Sequence, residues 1–152
     1  MHWADFAAQT LSQRGSKHII ASGITPSGEF HIGHLREILT GDMITRACRS
    51  AGLDAEFVFI VDSADPLRKV YPFLSDEYEQ YIGCALATIP APDENGKPGN
   101  DGRNYAEHFL EPFLAALAQI DVRPRIIDNY DSYANGKFCL LYTSPSPRDY
   151  PG

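Results

Sequence analysis

The sequence predicts an α/β protein in which the strands of a parallel sheet alternate with crossover helices. Three observations carry this. Phe57-Val58-Phe59-Ile60-Val61 is an unbroken apolar run of strand length, the pattern of a strand buried on both faces. Between His34 and Ala51 the apolar residues Leu35, Ile38, Leu39, Met43, Ile44 and Ala47 recur at helical spacing, and Gly52 supplies a stop. Short β-type runs, His18–Ser22 and Arg125–Asp128, stand before and after these two, so strand and helix periods alternate along the chain.

The remaining elements follow in order. Trp3 to Arg14 carries Trp3, Phe6, Ala7 and Leu11 at helical spacing, with Gly15 placed to end a first helix. The strand at His18–Ser22 runs into Gly23-Ile24-Thr25-Pro26-Ser27-Gly28, and the long helix follows from about Gly33 to Ala51. After the Asp54–Asp62 strand, Asp65-Pro66 opens a polar loop, and Ser75 is placed to cap a short helix to Ile82. Pro90 to Arg103 is rich in Pro, Gly, Asn and Asp and is expected to form a mobile surface loop. Asn104 to Ile120 is helical again, with Phe109, Phe113, Leu114 and Leu117 on its inner face. Strand, helix, strand, insertion, helix, strand is the order of half a Rossmann-like parallel sheet, with a loop at about 88–103 inserted in the second crossover. Residues 1–138 form this partial domain. Residues 139–152 break the pattern with prolines at 145, 147 and 151 and are expected to be a non-native or disordered tail, similar in wording to translated adaptor sequence.

Bulk properties narrow the function. A chain of 152 residues with 43% apolar content is one folded domain. Cys48, Cys84 and Cys139 lack CxxC spacing and read as free thiols of a reducing compartment; with no apolar run of bilayer length and no secretory pattern at the start, a cytoplasmic, membrane-free protein is expected. The net charge of −7 argues against a surface that attracts nucleic acid as a whole, so any RNA contact would be local or made by another part of the protein.

The candidate site lies where the first strand meets the long helix. His31-Ile32-Gly33-His34 opens that helix directly after Thr25-Pro26-Ser27-Gly28. A helix start offers backbone N–H groups and the positive end of the macrodipole, and so attracts phosphate. Two imidazoles there can donate hydrogen bonds to a triphosphate and to the charge that grows when a carboxylate attacks it. Gly33 lets a flat base lie against the backbone, and Gly23 and Gly28 let the preceding loop bend tightly. On these four residues alone, paired histidines that merely cap the helix, pack at its start or form an incidental metal site are together an equal alternative.

His31-Ile32-Gly33-His34 is the HIGH signature of class I aminoacyl-tRNA synthetases. The wider string from Ser22 to Gly28, followed by HIGH and Arg36-Glu37, resembles class I lysyl-tRNA synthetases in particular, as do His2-Trp3-Ala4-Asp5, Asp65 to Pro72 and Tyr105 to Phe109. The resemblance runs from the amino terminus to about Phe138. It implies the first half of a class I catalytic domain and an enzyme that activates lysine with ATP-Mg2+ and passes it to tRNA(Lys). It further implies that His31 and His34 stabilise the transferring phosphate, that Ser27, Gly28, Ile32 and Gly33 meet the nucleotide, and that Gly23 and Thr25 belong to the lysine pocket, with no resident metal ligands. Asp62, by its place at the carboxyl end of the second strand, is a further candidate for the substrate or equally a loop cap.

The KMSKS string that completes class I sites is absent from the 152 residues, so the chain is expected to end before its catalytic domain does and to be inactive alone. A glutamyl-type class I enzyme, an HxGH nucleotidyltransferase and a non-catalytic nucleotide-binding module are the alternatives; Trp3-Ala4-Asp5 and Asp65-Pro66-Leu67-Arg68-Lys69 speak against the first. Asp65 shares with Asp62 the end of the second strand and could meet an ammonium group or Mg2+. Arg68 and Lys69 read as solvated loop charges, Cys48 as packing and His108 as structural.

Overall fold

Strand β1 (Lys17–Ile24) pairs parallel with β2 (Asp54–Val61), and β2 pairs parallel with β3 (Arg125–Asp128), giving the sheet order β1-β2-β3. The computed structural model describes residues 2–137. Helix α1 (Trp3–Ser12) precedes the sheet, α2 (Ile32–Ser50) connects β1 to β2, α3 (Tyr105–Gln119) precedes β3, and α4 (Asn129–Ala134) follows it. The parallel α/β order expected from the alternating periods is therefore present. The predicted change of character after residue 138 lies outside the described residues.

Both long helices pack on one face of the sheet. Phe57, Phe59 and Val61 alternate along β2 and point at Ile38 of α2 and at Phe113 and Leu117 of α3, with Ile20 and Ile24 of β1 alongside. On the other face Ile19 is 63% exposed and Arg125 reaches Glu56 through two hydrogen bonds, of 2.6 and 3.1 Å. Ala55 continues the covered face to Cys48 of α2 and Ala8 of α1. The buried thiol at Cys48 is pushed up by desolvation, which fits packing rather than reactivity.

Two helix faces differ from their apolar spacing. In α1 the buried residues are the small Ala4 and Ala8, whereas Trp3 and Phe6 face outward. In α2 the stripe against the sheet is Ile38, Gly41, Thr45 and Cys48, and Met43 lies on the exposed side. Size explains the second case. A Cβ at Gly41 would stand 2.5 Å from the Phe57 ring, so only glycine lets α2 approach the sheet this closely. Gly41→Ala should therefore destabilise the protein by about 1–3 kcal/mol through overpacking, read as a fall in the midpoint of chemical unfolding.

The segment from Asp62 to Asn104 was legible only in part. It builds a core of its own, in which Leu67, Leu74, Tyr78, Leu86 and Ile89 close around Tyr105, Ala106 and Phe109 of α3. The helix expected after Ser75 is a 3-10 turn, Asp76–Tyr81, and the Ser75 hydroxyl makes no capping bond. The stretch expected to be a loose loop is tied down. Ala91 N–H donates to Arg103 O, Gly99 N–H to Ala91 O and the Tyr78 hydroxyl to Pro90 O, and Ala91 and Pro92 are buried. Desolvation pushes the Tyr78 phenol up to about 12, so it stays a donor at any ordinary pH.

Candidate active site at the start of the long helix

Imidazoles close the amino end of α2. His31 is the N-cap, and its Nδ1 accepts the Gly33 N–H at 3.1 Å; His34 returns the arrangement, its Nδ1 accepting the His31 N–H at 3.0 Å. A neutral imidazole has one nitrogen that accepts and one that carries the proton. With both Nδ1 atoms accepting, both rings are held as the Nε2–H tautomer. The capping alternative is thus correct as far as it goes, and it also fixes the chemistry: each ring is left with a donor at Nε2. The helix amides are less available than the sequence suggested. Gly33 N–H is taken by His31, and the His34 and Leu35 N–H groups bond His31 O at 3.0 and 3.2 Å.

The two rings lie against each other, tilted by 31°, with centroids 3.9 Å apart. His34 also meets the Phe30 ring edge-on at 5.3 Å, and Phe30 stacks on Phe113 of α3 at 4.3 Å. Desolvation, and then the charge of His31, lower the pKa of His34, with Glu37 opposing. The folded protein therefore favours neutral His34. The contribution of that neutral ring to stability is whole above the ordinary value of 6.5 and is lost as pH falls through the lower folded value. Lowering pH from about 7.5 to about 5.5 should thus reduce the melting temperature of the native chain more than that of His34→Asn, which cannot titrate there.

Gly33 serves a purpose its sequence position did not reveal. A Cβ there would stand 2.8 Å from Cε1 and 3.0 Å from Nδ1 of His31, so the missing side chain is the space in which the His31 ring lies.

His31 and His34 line a cleft of 580 Å³ together with Thr25, Ser27, Gly28 and Glu29 from the preceding loop, Tyr71, Phe73, Pro92, Asp93, Glu94 and Gly96 from the segment between β2 and α3, and His108 and Phe109 from α3. Specific bonds hold these walls in place. The Tyr105 hydroxyl donates to Ser27 O at 2.8 Å, tying α3 to the loop ahead of α2. The Gly28 position lies against Phe73, whose ring is 3.3 Å from where a Cβ would be, and Tyr71 and Phe73 stack at 5.6 Å. The Thr25 hydroxyl donates to Asp65 Oδ2 at 2.8 Å and keeps its lone pairs for a ligand; Arg68 meets the same oxygen at 3.4 Å. Lys69 lies 5.4 Å over the Tyr71 ring.

The other sequence candidates lie elsewhere. Ile32 is 78% exposed and, with Gly33, Leu35, Leu39 and Met43, lines a separate groove along α2. Gly23 sits within β1, where a Cβ would approach Ile60 O at 3.3 Å. Asp62 accepts a short hydrogen bond from the Asn129 amide beside β3; burial and then Asp65 raise its pKa. The structure thus gathers His31, His34, Thr25, Ser27 and Gly28 and leaves Ile32, Gly33, Gly23 and Asp62 outside the cleft. No signal in the sequence singles out Phe30 or Phe73, and His108, read there as structural, also lines the cleft. Phe30 stands immediately before the motif, but no periodicity marks it as a support for His34. Among the described residues no group of three or more His, Cys, Asp or Glu is placed to hold a metal, and no helix is long and apolar enough to cross a membrane.

The model of the family described as tRNA synthetases class I (K) matches residues 1–142. Among curated proteins, the chain is 44% identical over 138 residues to a lysine–tRNA ligase of Methanosarcina barkeri, which covers 91% of this chain and 25% of that protein. It is 46% identical over 136 residues to a lysine–tRNA ligase of Picrophilus torridus, covering 90% and 25%. The lysine–tRNA ligase of Archaeoglobus fulgidus is 44% identical over 138 residues, covering 91% and 27%. The chain spans about a quarter of the length of these curated relatives.

Proposed function

The chain belongs to the class I tRNA synthetases of the K type, and from that premise we propose that residues 1–138 are the first part of the catalytic domain of a cytoplasmic lysine–tRNA ligase. In the reaction, a carboxylate oxygen of lysine attacks the α-phosphorus of ATP, the bond to the β-phosphate oxygen breaks, pyrophosphate leaves and lysyl-adenylate forms. The lysyl group then passes to the terminal ribose of tRNA(Lys). ATP arrives with Mg2+ on its phosphates; tRNA is engaged mainly by parts of the protein beyond these residues.

The observation that carries the proposal is the pair of adjoining imidazoles with both Nδ1 atoms bonded to backbone. Their Nε2–H groups form a pre-set pair of donors on the cleft wall. Donors aimed at charge that grows on a phosphate need no reorganisation during reaction and act mainly on the transition state. Thr25 presents hydroxyl lone pairs in the same cleft, and Asp65 behind it keeps that hydroxyl's proton turned away. This suits an ammonium group of lysine.

The test is a chimera. Residues 1–137 replace the matching segment of the Methanosarcina barkeri lysine–tRNA ligase, and amino-acid-dependent ATP–pyrophosphate exchange is measured. Exchange that requires lysine is expected, whereas the 152-residue chain alone should give none because it supplies only part of the site. A folded chimera that exchanges with glutamate instead of lysine, or with neither, would overturn the assignment.

A further inference from the structure

We propose that His108 contacts the substrate in the cleft, hydrogen-bonding the phosphate chain of the nucleotide, an inference that rests on the nucleotide reading given above. His108 of α3 lines the same cleft as His31 and His34. The charged residues of that lining are Glu29, Asp93 and Glu94, all acidic, and no lysine or arginine is among them. A phosphate chain placed there depends on imidazoles and hydroxyls for its donors. His31 and His34 are committed to single tautomers by the helix cap. His108 is not. Its Nδ1 is enclosed with no hydrogen-bond partner, although nearly all enclosed polar atoms of folded proteins have one.

The ring is nonetheless placed rather than loose. Phe109 meets it edge-on at 4.8 Å, and the first turn of α3 is fixed by a reciprocal cap in which Asn104 Oδ1 accepts the Glu107 N–H and Glu107 accepts the Asn104 N–H. Through the bond from Tyr105 to Ser27, the turn bearing His108 is also tied to the loop that leads into His31. Packing therefore accounts for the position of the imidazole but gives its polar character no partner. With Nδ1 enclosed, the ring meets a phosphate chain in the cleft through Nε2, carrying the proton there as a donor.

The experiment titrates the 152-residue chain, labelled with 15N in histidine, with Mg-ATP, AMP and Mg-tripolyphosphate, and repeats the titration with His108→Phe and His108→Gln. Phe keeps the ring volume and Gln keeps a donor. The imidazole signals of His31, His34 and His108 should all move with Mg-ATP. His108→Phe should weaken Mg-ATP and tripolyphosphate about tenfold, the scale of one hydrogen bond to a charged group, leave AMP nearly unchanged, and lose more than His108→Gln. If His31 and His34 respond while His108 does not, or if His108→Phe binds Mg-ATP as well as the native chain, the proposal falls alone. If no imidazole responds to any of the three ligands, the nucleotide reading fails and takes the proposal with it.

Discussion

Alanine in place of His31 or His34 is expected to slow lysyl-adenylate formation in the active chimera about 10²–10³-fold, with a much smaller change in ground-state ATP affinity. The two imidazoles are held as Nε2–H donors by the backbone bonds to their Nδ1 atoms, so they are positioned before substrate arrives. Asn at position 34 keeps a donor and should retain more activity than Ala. Each change also disturbs the cap of α2, which by itself costs about 0.5–2 kcal/mol. Thermal melting must therefore accompany single-turnover kinetics, so that lost stability is not mistaken for a lost chemical step. A variant that adenylates at the native rate and needs only more lysine would move these histidines into the amino-acid pocket.

The second large effect is expected at Gly33. From sequence, a side chain there should compete with the adenine and appear as weaker ATP binding. The structure adds an earlier obstacle, because a Cβ meets the His31 ring at 2.8 Å before any ligand is present. Gly33→Ala should thus displace His31 and lower the adenylation rate about as far as His31→Ala does, on the order of 10²-fold, with Gly33→Val worse. The double variant separates the two causes. If Gly33 makes room for His31, adding Gly33→Ala to His31→Ala costs little more, since the ring is already gone. An undiminished further loss, seen in ATP affinity, would mean that the glycine serves the base alone.

These outcomes bear on what the sequence could and could not disclose. The parallel sheet was legible because β2 is an unbroken apolar run and α2 has a helical period, and each pattern depends on local geometry alone. Of the apolar residues at helical spacing, Leu11 of α1 and Leu35, Ile38, Leu39, Ile44 and Ala47 of α2 pack inward, whereas Trp3, Phe6 and Met43 lie exposed. The closest approaches belong to Ala4, Ala8 and Gly41, whose value is their small size. The segment from Asp62 to Asn104 was hardest to read. Its core residues, Leu67, Leu74, Tyr78, Leu86 and Ile89, follow no period because irregular backbone and 3-10 turns present them. At the site, the motif identified His31 and His34 and the loop placed Thr25, Ser27 and Gly28 beside them. Phe73 and His108 reach the cleft, and Phe30 joins His34 to Phe113 of α3, through packing between segments distant in sequence, which local spacing does not encode.

Backbone bonds to Nδ1 leave His31 and His34 as a preset pair of Nε2–H donors, proposed to meet nucleotide phosphate. Long-range 1H–15N spectra of the histidine rings in the 152-residue chain test this most directly, because they report which nitrogen carries each proton. The expected result is an Nε2–H tautomer for both rings near neutral pH, with both Nε2–H signals shifting on addition of Mg-ATP. An Nδ1–H tautomer at either residue, or Nε2–H signals that ignore saturating Mg-ATP, would contradict it.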